Sequence, residues 1–275
     1  MNLLDSKYEL LQSFIREKGK NGVAIAFSGG VDSATLAAVS HNILGDHAIA
    51  VTAKSPTYTL EELEESKRVA NEIGIKQVIV ETNELMDENF SRNTEDRCYY
   101  CKKALLIRIQ KVAENFGLNA IFEGTNFSDL QGHRPGFQAV KETVNAYSPL
   151  VECKITKEEI REIARKLRLS VQNKPPMPCL ASRIQYNERI TPEKLFRVKA
   201  AEQEVRRLTG VKLLRVRDHG GLARIEVGSN EREVLFNIEI QDRIATALKE
   251  LGFKYVTIDT EGYRTGSMLL TRNSE

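Results

Sequence analysis

The chain has 275 residues, 41% hydrophobic and 28% charged, a composition that supports a proper core and is unlike that of a disordered, collagen-like or fibrous chain. Its length exceeds one average domain and predicts a main domain with a smaller companion. With 40 Lys and Arg against 38 Asp and Glu, the net charge of +2 gives no bulk electrostatic case for binding nucleic acid or an acidic membrane, so any anionic partner must be small or locally bound.

Strand-like and helix-like patterns alternate through the first half, as in parallel β-α-β units covered by helices on both faces, and an α/β fold with a doubly wound, mainly parallel sheet is expected. A helix near residues 5–18 precedes a buried strand at 22–27 (GVAIAF) and a helix at 31–44. The second strand falls at 47–53, a polar-faced helix at 60–73, the third strand at 77–81, a helix at about 101–116 and a fourth strand at 120–123. A long polar loop then runs through Arg134, and Thr156 opens a capping box, T-K-E-E, ahead of the helix in IREIARKLRL.

Pro175, Pro176 and Pro178 can continue neither helix nor central strand, so residues 173–182 read as an ordered connector near a domain boundary. Beyond it come a helix at 192–208 and two alternating strands, KLLRVRDHG and LARIEVG, joined by a hairpin turn at Gly220-Gly221. A long helix at 231–251 and a final strand, KYVTID, complete a smaller C-terminal α/β domain. The expected division is residues 1–172, a linker at 173–190 that carries Cys179, and residues 191–275. From residue 171 onward there are 18 Lys and Arg against 14 Asp and Glu, so the mild positive excess lies there.

The start MNLLDSKYEL lacks a basic segment followed by an apolar one, and no apolar run approaches the roughly 18 to 20 residues of a membrane span. A cytoplasmic protein with no membrane partner is expected, and its four cysteines read as thiols or metal ligands rather than as a disulfide framework.

The sharpest local signal is Ser28-Gly29-Gly30-Val31-Asp32-Ser33, directly after a buried strand and opening a helix. Gly29 and Gly30 remove side chains where a backbone must approach a phosphate, the helix supplies N–H groups and the positive end of its dipole, and Ser28 and Ser33 add hydroxyl donors. Asp32 reads as a cap, or as an orienter of Mg²⁺ or of basic groups, rather than a direct partner of phosphate. The Lys-Ser/Thr pair of a Walker A loop and the G-x-G-x-x-G spacing are both absent, and the alternative is a plain Ser/Gly turn with an Asp cap.

S-G-G-x-D-S in this position resembles the PP-loop of the adenine-nucleotide α-hydrolase superfamily, whose members cleave ATP to AMP and pyrophosphate and activate a substrate oxygen as the adenylate. The nucleotide of such a sheet lies across the carboxyl ends of the strands. That makes Ala53, Lys54 and Ser55 after the second strand, and Gly124, Thr125 and Asn126 after the fourth, candidate adenosine contacts. Gly124 as a simple turn and Asn126 as an Asx-turn residue are the structural alternatives.

C-Y-Y-C at the head of a helix brings Cys98 and Cys101 to one face, where two thiolates can hold one metal centre. A redox disulfide pair, half a zinc site or two ordinary thiols would look the same. Cys179 adds a third soft ligand on a proline-braced segment, and Cys153 is the candidate fourth for a closed zinc site. A cubane iron–sulfur cluster held by three cysteines would leave one iron open to an extra sulfide.

Essentially the whole chain resembles the LarE family of ATP-dependent sulfur transferases. The matching pieces are AFSGGVDS, CYYCKK, EGTNFSD followed by HRPG, PCLASR, LLRVRDHG with LARIEV, and LGFKYVTIDTEGYRTG. The resemblance implies conversion of the two carboxylates of pyridinium-3,5-dicarboxylate mononucleotide to thiocarboxylates, for the nickel-pincer cofactor of lactate racemase. One branch of the family sacrifices a single cysteine sulfur, whereas the branch with two additional cysteines is associated with a [4Fe-4S] cluster that passes on a bound sulfide. This chain has the three-cysteine pattern, with Cys179 at the sacrificial position, so the resemblance implies the cluster role for Cys98, Cys101 and Cys179.

The same resemblance implies ATP and Mg²⁺ at the loop, a sulfide source, and Zn²⁺ as the runner-up to the cluster. It places Arg183, Arg215, Arg217 and Arg264 in the substrate site, where two carboxylates and a phosphate require planar cationic donors. Alternate positions put Arg215 and Arg217 on one strand face, which is otherwise an ordinary solvated face. Arg134 in HRPG is a phosphate contact or a loop anchor. Glu202 and Glu226 match carboxylates implicated in divalent-metal or interface contacts, and surface positions explain them equally well. No catalytic role falls to His133 or His219, since adenylation needs no base beyond the ionised carboxylate. Homo-oligomerisation is also implied.

The rival enzyme readings are a tRNA thiolase, disfavoured by the near-neutral charge and the lack of a basic or aromatic stripe, and an ammonia-using ligase, which would not need three thiols. A nucleotide-sensing or zinc-stabilised binding module is the non-enzymatic alternative.

Overall fold

A computed structural model describes residues 3–132, 134–175, 178–264 and 266–268 and divides them into two compact units. The first takes the described residues of 1–84 and 98–177, and the second takes Leu85–Arg97 together with those of 178–275. Among the described residues no helix is long and apolar enough to cross a membrane.

The first unit opens with α1 (Leu3–Lys18), β1 (Val23–Ala26), α2 (Val31–Leu44), β2 (Ala48–Lys54), α3 (Leu60–Ile73) and β3 (Lys76–Glu81). A short helix, α4 (Glu88–Ser91), belongs to the second unit, and α5 (Arg97–Asn115) leads back into the first. There β4 (Ala120–Phe122), α6 (Pro135–Glu142), β5 (Ala146–Tyr147), α7 (Pro149–Glu152) and α8 (Lys157–Lys166) follow.

The five strands are parallel in the order β3-β2-β1-β4-β5. Successive side chains of a strand point to opposite faces, so each strand serves two cores. Val23, Ile25, Ala48, Ala50, Ala120 and Phe122 pack with Leu11 and Ile15 of α1, Leu36 of α2 and Ile160 of α8. The intervening Ala24, Ile49, Val51 and Ile121 pack with Leu106, Ile109 and Val112 of α5 and Val140 of α6. That is the expected doubly wound α/β sheet, and its parallel strands are apolar on both faces because both are covered.

The second unit continues with α9 (Pro192–Thr209), β6 (Leu214–His219), β7 (Leu222–Val227), α10 (Ile238–Glu250) and β8 (Tyr255–Ile258). β6 and β7 are antiparallel, β8 joins β7 in parallel, and the hairpin turns at Gly220 and Gly221 with φ of 61° and 92°, backbone that glycine adopts without penalty. Leu195, Val198 and Val205 of α9, Val216 of β6, Ile225 of β7 and Leu248 of α10 are buried.

Three expectations are corrected. The helix placed at 231–251 is broken: a 3₁₀ turn at Arg232–Phe236 ends before Asn237, whose side chain accepts from the Ile240 N–H and starts α10 afresh. The helix placed at 101–116 begins at Arg97, so both thiols of C-Y-Y-C lie inside its opening turns. The loop after β4 contains a 3₁₀ turn, Phe127–Gln131, capped by Asn126 through a reciprocal bond with Asp129. The Thr156 capping box is present as read.

Phe122 is fully buried between Phe14 and Tyr147, with ring centroids 6.3 and 6.2 Å away. Phe122→Ala should cost about 3–5 kcal/mol of unfolding free energy, read as a lower urea midpoint at an unchanged m-value.

Candidate functional site

In the first unit the segment from Ser28 to Ser33 turns back on itself at the carboxyl end of β1. Ser33 Oγ accepts from the Ser28 N–H at 3.2 Å, lies 3.1 Å from Ser28 Oγ and donates to the Gly30 carbonyl at 3.2 Å. Gly29 has φ of 69°, and a β-carbon there would stand 2.8 Å from Ser66 Cα, so the backbone passes where no side chain fits. The N-cap of α2 is Gly30, with no side-chain cap, which removes the capping role considered for Asp32. Asp32 instead orients a basic group: Lys157 Nζ is 2.5 Å from Oδ2, and Asn126 Nδ2 reaches Oδ1 at 3.4 Å. Burial raises the Asp32 carboxyl above its ordinary value against the opposing pull of Lys157. A second cation, Lys174, donates to the Gly29 carbonyl at 3.2 Å and pairs with Glu65 at 2.8 Å.

The end of β4 packs directly against this loop. A β-carbon on Gly124 would lie 3.1 Å from the Ser33 nitrogen, so this glycine serves close approach rather than a turn. Beside it, the buried Glu123 carboxylate accepts from Lys102 Nζ at 3.0 Å, from Thr125 Oγ1 at 2.8 Å and from Ser148 Oγ. Burial alone would raise the Glu123 carboxyl, but the Lys102 charge and the three hydrogen bonds outweigh it and hold the group below its ordinary value. Burial likewise works against the Lys102 ammonium, and the Glu123 charge, with smaller help from Cys101 and Cys98, keeps its pKa raised.

Among the other candidate contacts, Lys54 pairs with Glu81 at an exposed edge, and Ser55 Oγ donates to Glu84 at 2.5 Å. Ala53 is half-buried at the end of β2, and Asn126 is buried and engaged in its cap. Arg134 pairs with Asp129 on the surface of the same unit, while His133 lies outside the described residues.

No disulfide joins the four cysteines. Cys98 is exposed and Cys101 half-exposed, three residues apart on α5. Cys153 is packed into the core beside Leu150 and Ile155, and burial, reinforced by Glu152, pushes its thiol up to about 11. Among the described residues no three His, Cys, Asp or Glu side chains form a preformed metal-holding group. As a donor set, the thiols outside the core suit a soft metal centre.

In the second unit, Arg183 follows Cys179 on a 3₁₀ turn and forks onto Glu202 at 2.8 and 3.2 Å. Its other nitrogen donates to the Cys179 carbonyl and to Ser182 Oγ, both at 3.1 Å. Arg217 forks onto Glu226 at 2.8 and 3.1 Å and reaches the Ser182 carbonyl at 3.0 Å. Arg215 lies over the Tyr263 ring at 5.3 Å, and burial, then the neighbouring Arg183 charge, lowers its pKa. Arg215 and Arg217 are 4% and 5% exposed, so the solvated-face reading of β6 is overturned, as is the surface reading of Glu202 and Glu226 at 5% and 0%. Arg264 joins at the edge through Asp259, 3.4 Å away, which also approaches Arg224 at 3.8 Å. His219 Nδ1 is 3.1 Å from Gln185 Oε1, and burial lowers its pKa.

Comparison with known proteins places these two sites in context. The NAD synthase family profile matches residues 3–114. An uncharacterized protein of Synechocystis sp. is 42% identical over 97% of this chain and 98% of its own, and one of Methanocaldococcus jannaschii is 31% identical over 93% and 96%. The pyridinium-3,5-bisthiocarboxylic acid mononucleotide synthase of Lactiplantibacillus plantarum is 35% identical over 90% of this chain and 88% of its own. The chain belongs to the LarE family of ATP-dependent sulfur transferases.

In this LarE-family chain the geometry adds side chains at the PP-loop that motif reading passes over. Lys157 opens α8 inside the capping box, where its signal was read only as a helix start. Lys174 sits in the proline-rich connector, and Lys102 follows C-Y-Y-C. Glu123→Gln should be costly, because it removes the charge that compensates the half-buried Lys102 ammonium. A loss of about 1–3 kcal/mol in denaturant unfolding is expected, and double replacement with Lys102→Met should recover much of it.

Proposed function

We propose that this chain adenylates the carboxylates of a pyridinium-3,5-dicarboxylate mononucleotide and replaces a carboxylate oxygen by sulfur, in biosynthesis of the nickel-pincer cofactor of lactate racemase. The observation that carries this reading is the clustering of Arg183, Arg215 and Arg217, three guanidinium groups no more than 5% exposed, one of which holds the carbonyl of Cys179. Several planar cationic donors beside a thiol-bearing turn suit a ligand with several carboxylates and a phosphate.

ATP lies against Ser28 to Ser33, with adenosine toward Ala53, Lys54, Ser55, Gly124 and Asn126. The backbone N–H groups at the head of α2, together with Lys157 and Lys174, stabilise charge on the departing pyrophosphate, and Mg²⁺ supplies further Lewis-acid neutralisation when bound. The substrate carboxylate oxygen attacks the α-phosphorus, the bond to pyrophosphate breaks, and an acyl-adenylate forms. Asp32 keeps Lys157 in place for this step. Sulfide then attacks the acyl carbon, and AMP departs with the former carboxylate oxygen. Arg183, Arg215, Arg217 and Arg264 hold the remaining carboxylate and the phosphate, and Arg134 serves a phosphate at the first unit's loop. Cys98, Cys101 and Cys179 are the residues that would hold a [4Fe-4S] cluster, whose chemistry would be to supply sulfide; Zn²⁺ is the runner-up. A homo-oligomer is the expected assembly.

Incubation under anaerobic conditions with ATP, Mg²⁺, sulfide and the dicarboxylate mononucleotide should release pyrophosphate and AMP and yield a product whose mass reports oxygen-for-sulfur exchange. Cys101→Ser should abolish the exchange yet retain ATP binding; full thiolation by that variant would dispose of the cluster assignment. Arg215→Gln removes a charge-assisted bond of about 1.5–3 kcal/mol and should weaken the dicarboxylate by about 10- to 100-fold while ATP affinity is unchanged.

A further inference from the structure

The β6–β7 hairpin carries three arginines, Arg215, Arg217 and Arg224. Arg224 lies directly opposite Arg217 in the register, and Arg215 lies opposite Glu226, so all four side chains project from one face. Like charges facing each other across a ladder repel unless something joins them. Glu226 does so: its Oε2 takes the fork of Arg217 at 2.8 and 3.1 Å, while Oε1 accepts from Arg224 Nη2 at 2.9 Å and from Ser267 Oγ at 2.7 Å.

Beyond Glu226 the line of cations continues past Asp259. Oδ1 of that carboxylate accepts from the Glu261 N–H at 2.9 Å, and Oδ2 stands 3.8 Å from Arg224 Nε and 3.4 Å from Arg264 Nη2. Both separations exceed those of strong charge-assisted hydrogen bonds. Arg224 makes both of its hydrogen bonds among the described residues from Nη2, the second reaching Met268 Sδ at 3.6 Å. Its Nε and that of Arg264 are buried without a hydrogen-bond partner among those residues. One carboxylate thus gathers two guanidinium groups and makes a short contact with neither. Side-chain exposure rises along the line, from 6% at Arg217 to 22% at Arg224 and 35% at Arg264. Arg217 is the inner end, since it also holds the Ser182 carbonyl of the turn that follows Cys179.

We propose that Arg224 is a further substrate-binding residue, which with Arg264 takes the phosphate of the mononucleotide at the outer end of the arginine line. This rests on the substrate proposed above. The carboxylate that gives up its oxygen must lie toward the thiol-bearing turn, which leaves the phosphate, at the far end of the ribose, for the more exposed arginines. A phosphate monoester offers three acceptor oxygens and nearly two negative charges, a match for two planar donors side by side. Asp259, fixed through Oδ1, spaces those donors.

The test is calorimetric binding of pyridinium-3,5-dicarboxylate mononucleotide and of its dephosphorylated nucleoside to the full chain, loaded with Mg²⁺ and a non-hydrolysable ATP analogue. The parent should bind the mononucleotide at least about 10-fold more tightly than the nucleoside. Arg224→Gln should bring that ratio within about 3-fold by weakening the mononucleotide alone, and Arg224→Lys, which keeps charge but not the fork, should fall between. Arg215→Gln should weaken both ligands. The parent's ratio retained in Arg224→Gln would overturn the role of Arg224 and leave the substrate standing. Equal weakening of both ligands by Arg224→Gln would show a general structural role, also against the inference. A parent that does not distinguish the two ligands would overturn the phosphate assignment, and one that binds neither would overturn the proposed substrate and this inference with it. If melting shows that Arg224→Gln does not fold, a ratio in Arg224→Lys equal to the parent's overturns the inference.

Discussion

The first unit turns on the end of one strand. At β4 the chain places a glycine where a β-carbon would press the Ser33 nitrogen, and beside it a buried carboxylate that holds the ammonium of Lys102. The glycine lets the nucleotide loop seat against the sheet, while the carboxylate anchors the cysteine-bearing helix by its fifth turn-forming position after Arg97. Two neighbouring residues thus tie the loop and the helix to a common edge. The arrangement needs parallel strands, because only then do the loops after β1, β2 and β4 emerge at one end of the sheet.

The second unit solves a different problem, which is to keep several guanidinium groups buried side by side. A buried charge survives only with partners, and removing one partner is expensive. Glu202 and Glu226 serve as scaffolds: each accepts a forked arginine, and Glu202 also accepts the Val216 N–H at 3.2 Å. The forks fix the planes of Arg183 and Arg217, and Tyr263 supports the face of Arg215. A lysine at these places could keep charge but neither the plane nor the stacking surface.

Much of this architecture was legible in the sequence because it rests on local signals. The 31–44 and 60–73 helices coincide with α2 and α3, whose ends are set by glycines and a capping box. The hairpin at Gly220-Gly221 follows from turn chemistry alone. The parts that escaped depend on distant contacts. Nothing in residues 85–97 reveals that Asn93 meets carbonyls more than ninety positions away. A polar strand such as LRVRDH looks solvated until Glu202 arrives from α9, and Asp32 looks like a cap until Lys157 arrives from α8. The break at Asn237 was missed because the apolar period runs across it, whereas the asparagine side chain competes locally for the backbone.

Cys153 bears on which metal the remaining thiols suit. A ligating cysteine must be a thiolate, and metal binding repays the deprotonation only where the thiol is accessible. Cys153 is 2% exposed within the core shared by Leu150 and Ile155, and its thiol is pushed up to about 11. Recruiting it would mean opening that core and ionising a desolvated sulfur. A closed tetrahedral zinc site would then have to take its fourth ligand from outside the cysteines, whereas the proposed three-thiolate centre would not call on Cys153 and would keep an open position. For a sulfur transferase the open position is the useful one, since a sulfur that every ligand encloses cannot be handed to a substrate.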